Sequence, residues 1–157
     1  MKKIIYLHGL ESFQGGAKVE WMANHNLVFA PEMNYKDPEL FQRILEQAKQ
    51  LKPDLIVGSS MGGYFGWLLA THLNVPVLLF NPALHSRSIK IENATEGRYL
   101  PKGDVVLGAK DDTINPKVTT DMIHYLEKIE GKEGNIQIHT EPEMEHRTPL
   151  KVFAHYL

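Results

Sequence analysis

Residues Gly58-Ser59-Ser60-Met61-Gly62 place a serine between two glycines, after the apolar run Asp54-Leu55-Ile56-Val57 and before a helix-like stretch from Tyr64 to Leu73. In a strand–turn–helix setting this G-x-S-x-G spacing has mechanical meaning. The turn is too sharp for side chains at its flanking positions, and the serine hydroxyl is lifted above the sheet edge. A hydroxyl is a weak nucleophile near neutral pH and needs a base to take its proton during attack. Histidine suits that task, with an unperturbed pKa of about 6.5. A carboxylate must then fix its tautomer and stabilise the imidazolium. Attack on an acyl carbon further requires two convergent backbone N–H groups to hold the oxyanion.

The partners are sought among residues just past apolar runs. Of the eight histidines, only His8 and His146 lie just beyond the end of such a run. His72 and His124 fall within helix-like segments, His25 and His85 in loops, and His139 in a strand-like run. His146 is therefore the candidate base, and His8 reads as a structural residue holding the loop that follows it. The carboxylate comes from Lys110-Asp111-Asp112, where Asp111 and Asp112 compete. Met61, next to the serine at a helix N-terminus, is one candidate oxyanion donor. Leu10, after His8-Gly9, is the second. The blander reading of Ser60 is a helix cap. Ser59 should point to the opposite side and be buried scaffold, while Tyr64, Phe65 and Trp67 sit at helical spacing and read as core. Glu143, Glu145 and His146 lack any established metal-ligand spacing, and no metal is expected.

These residues must be positioned by the elements around them. Short apolar runs at Ile4–Leu7, Leu27–Ala30, Leu55–Val57, Val77–Phe80 and Val105–Leu107, with a weaker one at Ile136–His139, predict six strands. Asp37-Pro38 predicts a helix start, with Leu40, Ile44, Leu45, Ala48 and Leu51 on one apolar face. Asn115-Pro116 predicts another, burying Val118, Met122, Ile123, Leu126 and Ile129 and stopped by Gly131. Thr148-Pro149 predicts a third, before Val152, Phe153 and Tyr156. Strands alternating with helices imply crossover connections and a parallel sheet covered on both faces. In such sheets ligands bind outside the carboxyl ends of the strands, where the candidate residues fall. Ala83 to Lys102 lacks periodicity and is too short for a separate cap, so residues 1–157 read as one domain.

Bulk composition narrows the classes. The chain has 157 residues, 43% of them apolar, 23% charged and none cysteine. That is the profile of an ordinary soluble globule, without disulfides or thiolate metal sites. A net charge of −2 gives no electrostatic reason to expect nucleic acid or an anionic membrane as partner. Met1-Lys2-Lys3 precedes only four apolar residues, too short for a signal-peptide core, and no run has the length of a membrane span. A cytoplasmic location is the default expectation.

The order Ser60, Asp111, His146 is that of the α/β-hydrolase triad rather than of chymotrypsin or subtilisin. The chain resembles the α/β-hydrolase superfamily, and most closely the YqiA-like small esterases. The resemblance rests on Tyr6-Leu7-His8-Gly9-Leu10 through Gly16-Ala17-Lys18, on the Gly58–Gly63 turn, on Asn81-Pro82-Ala83, and on an Asp loop and a histidine before a final helix. Two departures stand out. The histidine lies in Met144-Glu145-His146-Arg147 where the family favours Gly-Asp-His-x-Phe, and Glu11-Ser12-Phe13 makes a bulky insertion-like loop. The resemblance implies a minimal α/β-hydrolase fold, three-layered, with a six-stranded parallel sheet and no cap domain. It further implies a Ser60–Asp111–His146 triad in which the family register favours Asp111, with Leu10 and Met61 in the oxyanion hole. The implied activity is serine esterase chemistry on small acyl esters or thioesters, without a cofactor. Two other readings share these residues: an acyltransferase or peptidase with the same triad, and a non-catalytic binding module on a hydrolase scaffold. With no cap, the site should be shallow and favour short acyl groups.

Overall fold

The computed structural model describes residues 1–10 and 12–157. Glu11, part of the insertion-like loop, lies outside them. The chain order is β1 (Lys3–Leu7), α1 (Ala17–Ala23), β2 (Leu27–Phe29), α2 (Leu40–Leu51), β3 (Leu55–Ser59), α3 (Met61–Leu73), β4 (Val77–Phe80), β5 (Gly103–Gly108), α4 (Pro116–Glu130), β6 (Ile136–Glu141) and α5 (Leu150–Tyr156). All six strands are parallel, in the order β2-β1-β3-β4-β5-β6. This is the expected three-layer α/β-hydrolase architecture. Helix α1, only seven residues long, has no periodic signature in the sequence and is found only in the structure.

Strand alternation divides the core between the two sheet faces. Ile5, Leu7, Ile56, Leu79, Val105 and Leu107 pack beneath α2, α3 and Ile123 of α4. Ile4, Tyr6, Val57, Leu78, Phe80 and Val106 face Met22 of α1 and Phe153 of α5. Burying a side chain such as Phe153 completely contributes about 1.5–3 kcal/mol, and it also stacks near Phe80 and Tyr6. No helix among the described residues is long and apolar enough to cross a membrane.

Several helix details depart from the sequence pattern. Helix α2 begins at Leu40, beyond Pro38, because the Asp37 carboxylate accepts the Glu39 N–H at 2.9 Å and closes a separate turn first. Its buried face includes Phe41 in addition to the expected residues, while Leu51 is only half-buried. Asn115 caps α4 as expected, its side chain accepting from the Lys117 and Val118 N–H groups, and Gly131 ends it in the left-handed region at φ 64°. Helix α5 starts one residue late, with Pro149 as cap residue, and the buried Thr148 hydroxyl bonds to no described residue. Between β4 and β5 the chain forms neither helix nor strand.

The largest revision concerns α4. Its buried residues are Thr119, Ile123 and Glu127, whereas Val118 and Ile129 are 43% and 60% exposed. Met122, Ile123 and Leu126 of the expected stripe pack on the core, and only its two ends, Val118 and Ile129, stand outward. The buried face also takes in Glu127, whose Oε2 accepts the Ile136 N–H at 2.9 Å and ties α4 to the start of β6. Glu127→Ala would leave that buried N–H without an acceptor, at a cost of about 1–3 kcal/mol. A calorimetric melt of Glu127→Ala should therefore show Tm lower by several degrees. Glu127→Gln, which keeps an acceptor, should lose less than half as much.

Candidate active site

The turn between β3 and α3 owes its shape to close backbone contact. A Cβ on Gly62 would lie 2.0 Å from the Leu7 carbonyl oxygen and 2.7 Å from that of His8. One on Gly58 would lie 2.3 Å from the Gly62 carbonyl oxygen. Only hydrogens fit, so the first turn of α3 seats directly on the end of β1. Between the glycines Ser60 takes φ 56° and ψ −117°, a conformation that L residues adopt only when their surroundings enforce it. Its N–H donates to the Phe80 carbonyl at 3.0 Å, and its carbonyl accepts from the Ala83 N–H at 3.0 Å. The serine is thus clamped to both sides of the β4 end.

From this turn a chain of side-chain contacts crosses the carboxyl end of the sheet. Ser60 Oγ lies 2.8 Å from His146 Nε2. His146 Nδ1 lies 2.9 Å from Asp111 Oδ2. The other Asp111 oxygen accepts the backbone N–H groups of Thr113 and Ile114, both at 2.9 Å. The Asp111 side chain is 0% exposed and that of His146 26%. With Oδ1 saturated, Oδ2 is left to accept from His146 Nδ1–H, which turns the Nε2 lone pair towards the serine hydroxyl. Asp112, the competitor, is exposed and reaches only the Thr113 hydroxyl at 3.4 Å.

The two candidate oxyanion donors lie in the turns that follow β3 and β1. Met61 opens α3, where the first N–H groups have no partner within the helix, and its N–H donates to no described residue. Leu10 lies in the turn after β1, which the Ser12 N–H closes onto the Gly9 carbonyl at 3.3 Å. A Cβ on Gly9 would stand in ordinary contact with Ser60 Cβ at 3.5 Å, so the backbone just before Leu10 abuts the serine.

His8 occupies the structural position expected of it. Its Nδ1–H donates to the Gly9 carbonyl at 2.8 Å, and its Nε2 accepts the Met33 N–H at 3.2 Å. The Tyr35 hydroxyl donates to the His8 carbonyl at 2.5 Å. Burial pushes the Tyr35 phenol far above its ordinary range, so it stays a donor. No motif pointed to Met33 or Tyr35, because the stretch before α2 has no periodicity.

Phe65 and Trp67 are core, and Tyr64 is half-buried. Ser59 is half-buried rather than buried, since it sits at the strand's open end. Lys18 belongs to α1, with its ammonium 5.6 Å from the centre of the Phe153 ring. Burial, and then the charge of Arg147, lower its pKa. Glu143 pairs with Lys110. Among the described residues no three His, Asp or Glu side chains gather where a metal could be held.

The sheet and its flanking helices are those of the α/β hydrolases. The chain matches a Xanthomonas campestris protein assigned to the alpha/beta hydrolase superfamily with a TM-score of 0.70 at 17% identity, over 99% of this chain and 97% of that one. A thermophilic esterase from Thermogutta terrifontis aligns with a TM-score of 0.69 at 11% identity, over 99% and 88%. Est1E from Butyrivibrio proteoclasticus aligns at 0.65 and 15% identity, over 98% and 84%. At these identities the likeness is one of fold. The chain belongs to the Uncharacterised protein family UPF0227, whose family model matches residues 3–97.

The contact at Gly62 yields a direct test. Gly62→Ala drives a methyl into the Leu7 carbonyl, and overpacking of this kind costs about 1–3 kcal/mol or more. Its Tm should fall by roughly 4–10 °C in a scanning calorimeter.

Proposed function

We propose that this protein is a cytoplasmic serine hydrolase that cleaves small carboxylic esters or thioesters through an acyl-enzyme. The observation that carries this reading is the unbroken contact chain from Ser60 Oγ through His146 to the buried carboxylate of Asp111. In this mechanism His146 Nε2 takes the Ser60 proton as Oγ attacks the acyl carbon. The Met61 and Leu10 N–H groups receive the negative charge that develops on the carbonyl oxygen. The imidazolium, stabilised by Asp111, protonates the departing alcohol or thiol. Water then enters, gives its proton to His146 and attacks the acyl-enzyme, releasing the acid and restoring Ser60.

Labelling with a fluorophosphonate tests the class directly. The probe should modify Ser60 in the intact protein and leave Ser60→Ala unlabelled. A protein that only binds ligands would resist the reagent. In turnover assays Ser60→Ala should lower kcat by roughly 10⁴–10⁶, and His146→Ala should match it within about tenfold, because members of a triad act as a unit. Ser59→Ala should cost far less. Asp111→Asn should be severe and Asp112→Asn mild.

Substrate size follows from the segment between β4 and β5. Ala83, Leu84 and Ile91 anchor it in the core. The Arg87 guanidinium stacks 4.0 Å from the Tyr64 ring centre and donates to the Ala83 and Leu84 carbonyls. A segment lashed down in this way leaves a shallow groove that removes little acyl surface from water. A fully buried methylene is worth about 0.8 kcal/mol, and an open groove gains only part of that. In a p-nitrophenyl ester series, kcat/KM should peak at roughly two to eight acyl carbons, reckoned from that per-methylene gain. A steady rise to sixteen carbons would contradict an open site.

A further inference from the structure

Asn81 follows β4 directly, and its side chain is not part of the contact chain described above. Its backbone stands at φ 43°, in the left-handed region where asparagine is among the few tolerated side chains. The backbone N–H donates to the Val106 carbonyl at 3.0 Å, extending the β4–β5 ladder by one rung. The residue is 1% exposed. Its carboxamide meets three backbone groups. Oδ1 accepts the Gly108 N–H at 2.8 Å. Nδ2 donates to the Glu145 carbonyl at 3.1 Å and to the His146 carbonyl at 2.9 Å.

The three partners belong to the two loops that deliver the base and its carboxylate. Gly108 is the last residue of β5, three positions before Asp111. Glu145 and His146 lie in the loop after β6. A Cβ on Gly108 would sit 2.3 Å from the Met144 carbonyl oxygen, so these loops already touch at that point. The neighbours of Asn81 complete the picture, since Phe80 and Ala83 carry the backbone bonds that clamp Ser60. A donor facing one way and two acceptors facing the other can be satisfied by a primary amide. An aspartate would set an oxygen against two carbonyls, and an apolar side chain would leave all three groups unpaired.

We infer that Asn81 is a positioning residue that sets the distance between the His146 and Asp111 loops, and so holds the imidazole in line with Ser60. The inference rests on the hydrolase reading above. Its consequence lies in turnover rather than in substrate binding. A catalytic group displaced by about 1 Å can lose on the order of 10²-fold in rate. Asn81 touches neither the substrate nor the reacting atoms, and its side chain acts through the two loops it joins, which set the imidazole.

The experiment compares Asn81→Gly, which accepts the left-handed backbone without strain, with Asn81→Asp, which keeps the shape but reverses one half of the amide. Both are made in the wild-type protein and in His146→Ala. Hydrolysis of p-nitrophenyl acetate supplies kcat and KM, and circular dichroism reports the fold. In the wild-type background each variant should lower kcat on the order of 10²-fold with KM within about twofold. In His146→Ala the same changes should alter the residual rate by less than about threefold, because the residue they act through is gone. A loss that persists undiminished in His146→Ala would assign Asn81 a general structural role and overturn the inference. So would wild-type kcat in both variants, or failure of both to fold. Failure of the hydrolase reading itself is distinguishable, because the unmutated protein would then neither hydrolyse the ester nor take up the fluorophosphonate, or Ser60→Ala would leave both unchanged, whatever happened at position 81.

Discussion

The contact on which this site depends is one of backbone on backbone. The first turn of α3 rests against the carbonyls that end β1, with no side chain between them. That approach bends the chain after β3 so sharply that Ser60 is forced to positive φ. It also brings the open N–H groups at the start of α3 beside the turn that follows His8. The proposed nucleophile and the donors proposed to receive the developing charge are therefore set by one steric event. The strain at Ser60 is held by the Phe80 and Ala83 bonds on one side and the glycine contacts on the other.

Around that contact, polar groups are arranged so that each has one sensible partner. Asp111 spends one oxygen on two backbone N–H groups and has only the other to offer His146. His8 donates from one ring nitrogen and accepts at the other, which fixes its tautomer and the turn that carries Leu10. Such saturation leaves few alternative arrangements of similar energy, and a catalytic geometry needs that uniqueness more than it needs extra stability.

Much of this was legible in the sequence where physics acts locally. The six strands announce themselves as apolar runs, because a strand covered on both faces must be apolar throughout. The meeting of Ser60, His146 and Asp111 was legible because the proposed chemistry calls for particular residue types past particular strands. What escaped was set by long-range partners. The part of Glu127 in the inward face of α4 was missed because a charged residue by type is here buried against the Ile136 N–H. Helix α1 is too short for a period to emerge, and Asp37 closed a turn before the helix it seemed to cap. Asn81 stood inside a visible tripeptide, yet its partners lie 27, 64 and 65 residues away. Nothing in the order of letters relates them.

The outer strands of the sheet carry a consequence for how the molecule behaves in a crowd. Strand β2 is three residues long, and Pro31 follows soon after it, so that margin offers few unpaired peptide groups in a row. The opposite margin, β6, sets Gln137, His139 and Glu141 among its apolar residues, with His139 bonded to Asp104 and Glu141 accepting from the Tyr156 hydroxyl. A neighbouring chain trying to add a strand would meet a stub on one side and charged, partnered side chains on the other. In this open parallel sheet, which cannot close on itself, the brevity of one border and the polarity of the other disfavour edge-to-edge pairing.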